Sequence, residues 1–568
     1  MKSLKMFLAV LILFMSAAAG IFAKSSGGTG FLVISPDRGF MGNQEVRDIH
    51  QEFAGEYPSS LVIITNEETE RFLKEGIEKL ENMGADEMVV IPLFLSSHHP
   101  LYKHAVNMLN GTGGQPVTNL PVTVAETMSR NYLTAELLAD RIAGLSEDPE
   151  NEALVLVASG AKSADERKGI EEDIRYLLSL NDGKYSFGRE SIVVYGDFEE
   201  ESRSSGELLD EELVSIKSEG LKPVVIPFDM TRKLDGMMSF SAQLSGIVSK
   251  YNAAFSGKDI TPHKNVTLWL EKQANQFLPV TKENLGVVFM PHGSDYVWNR
   301  RMMDAVESLQ DEYMIEHAFS MADPLVMERA IRKLEKRGAK AITVVRVFSL
   351  ESSFRDGTEY VLGLNEHFGH GHGHGSGAPP QRIISGSAFY SLGGLEASPL
   401  FAEALLDRAM GLSKEPGKET VILIGHGTGS DKANKHWENN LSRIASHMKM
   451  KAGEKGVQFR DIQYGTWRED WPDLRDKHIA GIRNMVKEAS KGGGTAIVIP
   501  ARTTHGGHAN RWLSDLEFEH NGEGFAPHPL FEQWVEEQII LSMDHFSTNG
   551  SKSLVSDATE EQSHHSRH

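Results

Sequence analysis

Thr420-Val421-Ile422-Leu423-Ile424 runs straight into Gly425-His426-Gly427-Thr428, and further on Thr495-Ala496-Ile497-Val498-Ile499-Pro500 runs straight into Ala501-Arg502-Thr503-Thr504-His505-Gly506-Gly507-His508. Each stretch is an unbroken apolar run ended by a polar, glycine-rich turn. A strand without polar alternation is buried on both faces, as in a parallel sheet covered by helices on each side. Ligands of such sheets bind beyond the carboxyl ends of the strands. The residues directly after each strand are therefore the ones to read for chemistry.

The same order of apolar strand, loop, amphipathic helix and late strand recurs upstream, so the chain reads as a repeat. The first strands are Gly30-Phe31-Leu32-Val33-Ile34, Ala153-Leu154-Val155-Leu156-Val157-Ala158 and Leu285-Gly286-Val287-Val288-Phe289-Met290. Matching late strands are Met88-Val89-Val90-Ile91-Pro92, Lys222-Pro223-Val224-Val225-Ile226-Pro227 and Ala341-Ile342-Thr343-Val344-Val345. The expected fold class is α/β, with four doubly wound parallel-sheet modules over residues 24–150, 151–280, 281–415 and 416–546, arranged as two pseudo-symmetric pairs. With 568 residues, three or four domains are the expectation from length alone.

The ends read differently. Lys2 and Lys5, the apolar run from Met6 to Met15, and Ser16-Ala17-Ala18-Ala19-Gly20 form the three parts of an export signal over residues 1–23. The alternative is an uncleaved anchor, for which the apolar run is short. The expected location is periplasmic or extracellular, with no stable membrane insertion after cleavage. Residues 547–568 are polar and read as a disordered tail.

There is no cysteine, which excludes disulfides, zinc–thiolate sites and iron–sulfur clusters. Any transition-metal site must use His, carboxylate or Met. A formal charge of −21 disfavours nucleic acid and anionic membranes and attracts cations. No G-x-x-x-x-G-K-[ST] loop is present, so no nucleotide is expected.

In a doubly wound module the loops after the first and late strands share one sheet edge, so His426 and His508 face one cleft, with His505 nearby. Neutral imidazole binds Fe, Co, Ni and Zn ions, and it also accepts protons near neutral pH. Asp515, Glu517 and Glu519 are the acids expected to orient an imidazole or to pass protons outward. The plainer reading of one Gly-His-Gly turn is a loop histidine bonded to backbone; a second strand-end histidine in the same module favours the metal. In module three, His367, His370, His372 and His374 alternate with glycine and form an accessory metal-collecting loop or, alternatively, a solvated insertion.

These motifs together resemble the class II tetrapyrrole metal chelatases of the sirohydrochlorin cobaltochelatase family. The resemblance rests on the His426-Gly427 turn, on His317-Ala318-Phe319-Ser320-Met321-Ala322-Asp323-Pro324 leading to Gly338-Ala339, and on Pro92-Leu93-Phe94-Leu95-Ser96-Ser97-His98-His99. It covers most of residues 30–545 and is faint in module two. The family's two-histidine site carries over fully only to module four, as His426 and His508. Module three keeps the first position at His292, with Glu351 as a conceivable second. Module one keeps only the second, at His98 or His99, and module two keeps neither. The resemblance implies insertion of a divalent metal into sirohydrochlorin or a related tetrapyrrole, Co²⁺ being favoured over Fe²⁺ or Ni²⁺, with His426 and His508 dividing the roles of metal ligand and proton acceptor. It also implies pairing of lobes, and a higher oligomer is compatible with it. The alternatives are an exported metal- or tetrapyrrole-binding protein and a structural protein that kept the fold without the chemistry.

Overall fold

The computed structural model describes residues 28–112, 114–196, 204–235, 239–366, 368 and 379–549. The expected signal segment, the His-rich loop with His367, His370, His372 and His374, and most of the expected tail lie outside these residues. The helix Pro529–Asn549 continues past Phe546, where the sequence places the start of that tail.

Two compact units divide the chain. One runs up to Leu278 and takes in Ile384–Gly386; the other comprises Pro279–Ile383 and Ser387–Asn549. Each holds two parallel sheets. The first unit contains β1 (Gly28–Pro36), β2 (Ser59–Ile64), β3 (Ala85–Pro92) and β4 (Val122–Val124) in the order β2-β1-β3-β4, and β5 (Glu152–Ala161), β6 (Arg189–Gly196) and β7 (Lys222–Pro227) in the order β6-β5-β7. The second contains β8 (Leu285–Pro291), β9 (Met314–His317), β10 (Ala341–Val347) and β11 (Ala388–Gly393) in the order β11-β10-β8-β9, and β12 (Glu419–Gly425), β13 (Asp461–Thr466) and β14 (Thr495–Pro500) in the order β13-β12-β14. All pairings between these strands are parallel. The fold is thus a set of four doubly wound α/β modules, two per unit.

Side-chain alternation along each strand explains why the modules pair. Phe31 and Val33 join Leu154 and Leu156 in one core shared by the first two sheets, whereas Leu32 and Ile34 point into a separate core on the other face. In the second unit, Val287 and Phe289 share a core with Val421 and Leu423, while Val288 and Ile422 face outward layers. The helices follow the same division. Thr69–Asn82 buries Leu73, Gly76, Ile77 and Leu80, and Pro324–Lys336 buries Met327, Ala330, Ile331 and Leu334, each a single stripe at three- and four-residue spacing. Tyr132–Ala143 is buried nearly all round, as a helix between two layers must be.

Strand register aligns the modules residue by residue. Val157 opposite Pro227 corresponds to Ile424 opposite Pro500, so Ser159 stands at the position of His426 and Asp229 at that of Arg502. Gly30 packs against Leu80 and Ala85 as Gly286 packs against Leu334 and Ala339, which places Pro36 at the position of His292. His263 and His528 close the correspondence: each caps the helix that follows it by accepting a backbone N–H at 3.2 Å.

Candidate metal centre

His426 follows β12 at the carboxyl edge of its sheet. Its Nδ1 lies 2.8 Å from the carbonyl oxygen of Gly427. A carbonyl only accepts, so Nδ1 carries the hydrogen and Nε2 of the neutral ring presents its lone pair outward. That lone pair faces Glu469 Oε1 at 3.2 Å and Asp470 Oδ2 at 3.1 Å. Three electron-rich atoms converge, and a cation between them, a proton or a metal ion, is what such an arrangement stabilises. Among the described residues, these are the only three His or carboxylate side chains whose ligand atoms all lie within 4.8 Å of one another.

The surrounding loops hold the trio in place. Gly427 has φ +83°, and a Cβ there would meet Asn434 Oδ1 at 2.8 Å and the Arg468 nitrogen at 2.9 Å, so only glycine fits. Arg468 itself adopts the left-handed φ of 50°. Its guanidinium donates to Thr428 O at 2.6 Å and to Asp431 Oδ1 at 2.6 Å, tying the loop after β13 to the loop after β12. Buried Asn434 accepts from the Thr428 N–H at 3.2 Å and from the Thr466 hydroxyl at 3.0 Å, joining the same two loops. Glu469 is also held by Arg502, which follows β14. The strain at Arg468 is offset by these bonds, a pattern found where a loop must keep one geometry.

His508 approaches the centre from the third loop, with Nε2 3.9 Å from Glu469 Oε2. Burial lowers its pKa, and Glu469 partly opposes that shift. His292, from the other module of the unit, repeats the turn of His426: its Nδ1 lies 2.6 Å from the Gly293 carbonyl, and Gly293 has φ +82°. Burial lowers the His292 pKa, the bond to the Gly293 carbonyl opposes that shift, and the nearby Arg502 charge adds to the lowering. Indole rings back each of these imidazoles. Trp298 lies 4.4 Å from His292, Trp512 lies 4.2 Å from His508, and Trp437 and Trp471 flank His426 at 6.2 and 6.1 Å.

The other sequence-predicted residues stand apart from the trio. His505 neighbours Arg301, Glu523 and Asp295; burial and the Arg301 charge lower its pKa. His99 belongs to the other unit. Its Nδ1 accepts the Leu101 N–H at 3.2 Å, which puts the ring hydrogen on Nε2, and burial lowers its pKa to about 4. His98 packs its ring over Gly169. Glu351 is held by Arg355 at 2.8 Å and reaches Arg346 at 3.6 Å, so its charge is already answered.

The acids expected near His508 are a correction. Asp515 pairs with Arg483 at 2.5 Å and Glu519 with Lys414 at 2.6 Å, and neither these nor Glu517 joins the trio. The carboxylates that do are Glu469 and Asp470, after β13. The signal for them was the charged and aromatic run Trp467-Arg468-Glu469-Asp470-Trp471 directly after a strand.

No protein-family model matches the chain, and no curated protein matches it. Solved structures do. The sirohydrochlorin chelatase SirB from Bacillus subtilis, solved with Fe³⁺, is 15% identical, covering 46% of this chain and 98% of its own at a TM-score of 0.34. SirB from Bacillus subtilis subspecies spizizenii, in complex with cobalt, is 12% identical over 42% of this chain and 90% of its own, with a TM-score of 0.31. A multi-domain protein from Deinococcus radiodurans with structural similarity to chelatases is 18% identical over 45% of this chain, with a TM-score of 0.31; the match spans 54% of its length.

Proposed function

We propose that the second unit inserts a divalent metal ion into sirohydrochlorin or a related tetrapyrrole, with Co²⁺ the favoured metal and Fe²⁺ or Ni²⁺ next. The observation that carries this reading is the outward lone pair of His426 facing Glu469 and Asp470. One imidazole and two carboxylates bind a first-row divalent ion and leave coordination positions free for pyrrole nitrogens. The metal is a substrate here, so a weak, open site is appropriate: a closed cage would not release it.

Insertion exchanges the metal ion for two pyrrole N–H protons, and those protons need acceptors. Burial favours the neutral form of both His508 and His292, which leaves each with a lone pair at neutral pH. Glu469, shared between His426 and Arg502 with His508 3.9 Å away, is placed to stabilise an imidazolium formed at His508. The export signal read from residues 1–23 makes this an enzyme outside the cytoplasm; no helix among the described residues is long and apolar enough to cross a membrane.

The test is absorbance-monitored insertion of Co²⁺, Fe²⁺ or Ni²⁺ into sirohydrochlorin under anaerobic conditions, beside the His426→Ala, His508→Ala double variant. Acceleration over the uncatalysed rate that disappears in the variant is expected, with a loss on the order of 100-fold or more. No acceleration, with metal or tetrapyrrole still bound stoichiometrically, would replace this reading by an exported binding protein.

A further inference from the structure

The first unit keeps a large space at the carboxyl edge of its sheets. It measures about 540 Å³, within the range of small-molecule sites, and both modules wall it: Arg38 after β1, Asn66 after β2, His99 after β3, Lys162 after β5 and Lys233 after β7.

Several donors in these walls have no anionic partner. Lys233 Nζ forms no ion pair among the described residues. Lys162 Nζ bonds only the neutral Asn66 Oδ1, at 3.0 Å, so its charge is unanswered. His99 Nε2 carries the ring hydrogen, and no acceptor is bonded to it among the described residues. Gly160, with φ +106°, admits that ring: a Cβ there would lie 2.6 Å from Nε2.

The acids nearby are engaged. Asp229 pairs with Arg38 at 2.7 Å. Asp37 accepts from the Gly39 N–H at 3.1 Å and the Asn43 amide at 2.6 Å, and Asp235 accepts from the Phe40 N–H at 2.5 Å. Asp37 and Asp235 thereby offset the positive end of the helix Gly39–Ala54. Three more helices start at the walls. His99 caps Pro100–Leu109, Ser239 caps Phe240–Val248, and Lys162 stands two residues before Ala164–Ser179. Their positive ends add to the two lysines.

We infer that this space binds a small organic anion with two or more carboxylates, held between Lys162 and Lys233 and hydrogen-bonded by the His99 Nε2–H. The donors come from loops after three different strands. Separated donors suit separated carboxylates, whereas a single phosphate is commonly cradled by one nest of adjoining backbone N–H groups. A lone inorganic ion would also leave most of the volume empty, while a carbon skeleton can pack on Pro36, Leu101 and Phe240 of the same walls. All these residues belong to the first unit, so the inference stands whether or not the second unit inserts a metal.

Calorimetry on the full chain tests it with citrate as the probe. The protein is first freed of metal on a chelating resin, so that citrate cannot report on a bound ion. One citrate per chain is expected to bind at low ionic strength, more weakly as salt rises. Lys162→Gln with Lys233→Gln is expected to raise the Kd about tenfold or more, and Lys162→Arg with Lys233→Arg to hold it within about threefold, because the charge is kept. His99→Asn retains an acceptor for the Leu101 N–H but withdraws the Nε2–H, and is expected to raise the Kd about threefold to tenfold. Wild-type unfolding transitions check that each variant folds. No citrate binding, or a Kd unchanged in the glutamine pair, overturns the inference. Inorganic phosphate bound as tightly as citrate overturns the carboxylate assignment in favour of a compact oxyanion. Sirohydrochlorin bound through Lys162 and Lys233 where citrate is not overturns it in favour of a second macrocycle site.

Discussion

The two units are built on one plan, yet their clefts have opposite chemistry. In the second, the first-strand positions hold His292 and His426, and Arg502 after the late strand holds Glu469. In the first, the corresponding positions are Pro36, Ser159 and Asp229. Asp229 pairs with Arg38 at 2.7 Å, and Ser159 donates to the same carboxylate at 2.7 Å. Arg38 also donates to Thr231 O at 3.0 Å and to Ser159 Oγ at 3.1 Å. One cleft presents a lone pair beside two carboxylates, with Arg502 on Glu469 alone; the other sets the Arg38 guanidinium on its carboxylate and fills its hydrogen bonds. A duplicated site that loses its ligands can be answered from within: a fixed cation from the chain takes over the electrostatic role of a bound one, while a space of about 540 Å³ lined by Pro36, Arg38, His99 and Ser159 remains beside it. His99 of the first unit fits this account, because its Nε2 is a donor, not a ligand.

The comparison breaks first if Arg38 is dispensable. Arg38 and Asp229 are only 10% and 9% exposed, so removing one partner strands the other's charge. Arg38→Met is expected to destabilise the first unit by about 3–5 kcal/mol, read by chemical denaturation, and Asp229→Leu in the same chain to recover most of that. A variant as stable as the wild type would mean that the ion pair does not hold this part of the first unit together.

The next largest effect belongs to the other cleft. Glu469→Gln keeps the shape but removes a charge that is 10% exposed and shared by His426 and Arg502. Co²⁺ affinity measured by calorimetry is expected to fall on the order of 100-fold, whereas Asp470→Asn, at a carboxylate 68% exposed, is expected to cost no more than about tenfold and to lose that difference in high salt. Equal losses would show that exposure does not grade the two ligands.

The sequence carried the architecture well and the site in part. Apolar runs such as Val421–Ile424 are unambiguous because both faces are buried. β13 is different: Asp461-Ile462-Gln463-Tyr464-Gly465-Thr466 alternates and lies at the edge of its sheet, so it lacks that signature. The residues after it, Glu469 and Asp470, were therefore missed, and acids adjacent in sequence to His508 were preferred. Proximity along the chain misled because Asp515 and Glu519 already have cationic partners, Arg483 and Lys414, which sequence spacing does not reveal. The pairing of modules was legible in the repeat, but the substitution of Arg38 and Asp229 for a ligand set became visible only once strand register aligned Asp229 with Arg502.

The smallest effect tests whether the first unit's cleft has its own pH dependence. Ile260 and Phe525 make the same backbone bonds, to Asp229 O at 3.0 Å and to Arg502 O at 3.0 Å, so Asp259 corresponds to Gly524. At Gly524 a Cβ would lie 2.2 Å from the Thr504 carbonyl, and no side chain fits. In the first unit Asp259 is 2% exposed, and burial together with the Asp229 charge raises its pKa from 3.8 to about 7, against the opposing pull of Arg38 and Arg232. A raised carboxyl favours its protonated form in the folded state, so its contribution is complete below about pH 4 and is lost as pH rises through 7. His99 acts in the other direction: its pKa, lowered from 6.5 to about 4, gives stability that is present above pH 6.5 and lost as pH falls through 4. Asp259→Asn removes only the first dependence. It is expected to leave stability unchanged near pH 4 and to raise it by about 1–2 kcal/mol above pH 8, relaxation and water entry around the ionised carboxylate relieving part of the full cost of ionisation. The gain should appear in the unfolding transition of the first unit and not in that of the second, where Gly524 has no group to titrate. A gain of equal size at both pH values would assign the effect to packing, and the first cleft would then differ from the second in ligands alone.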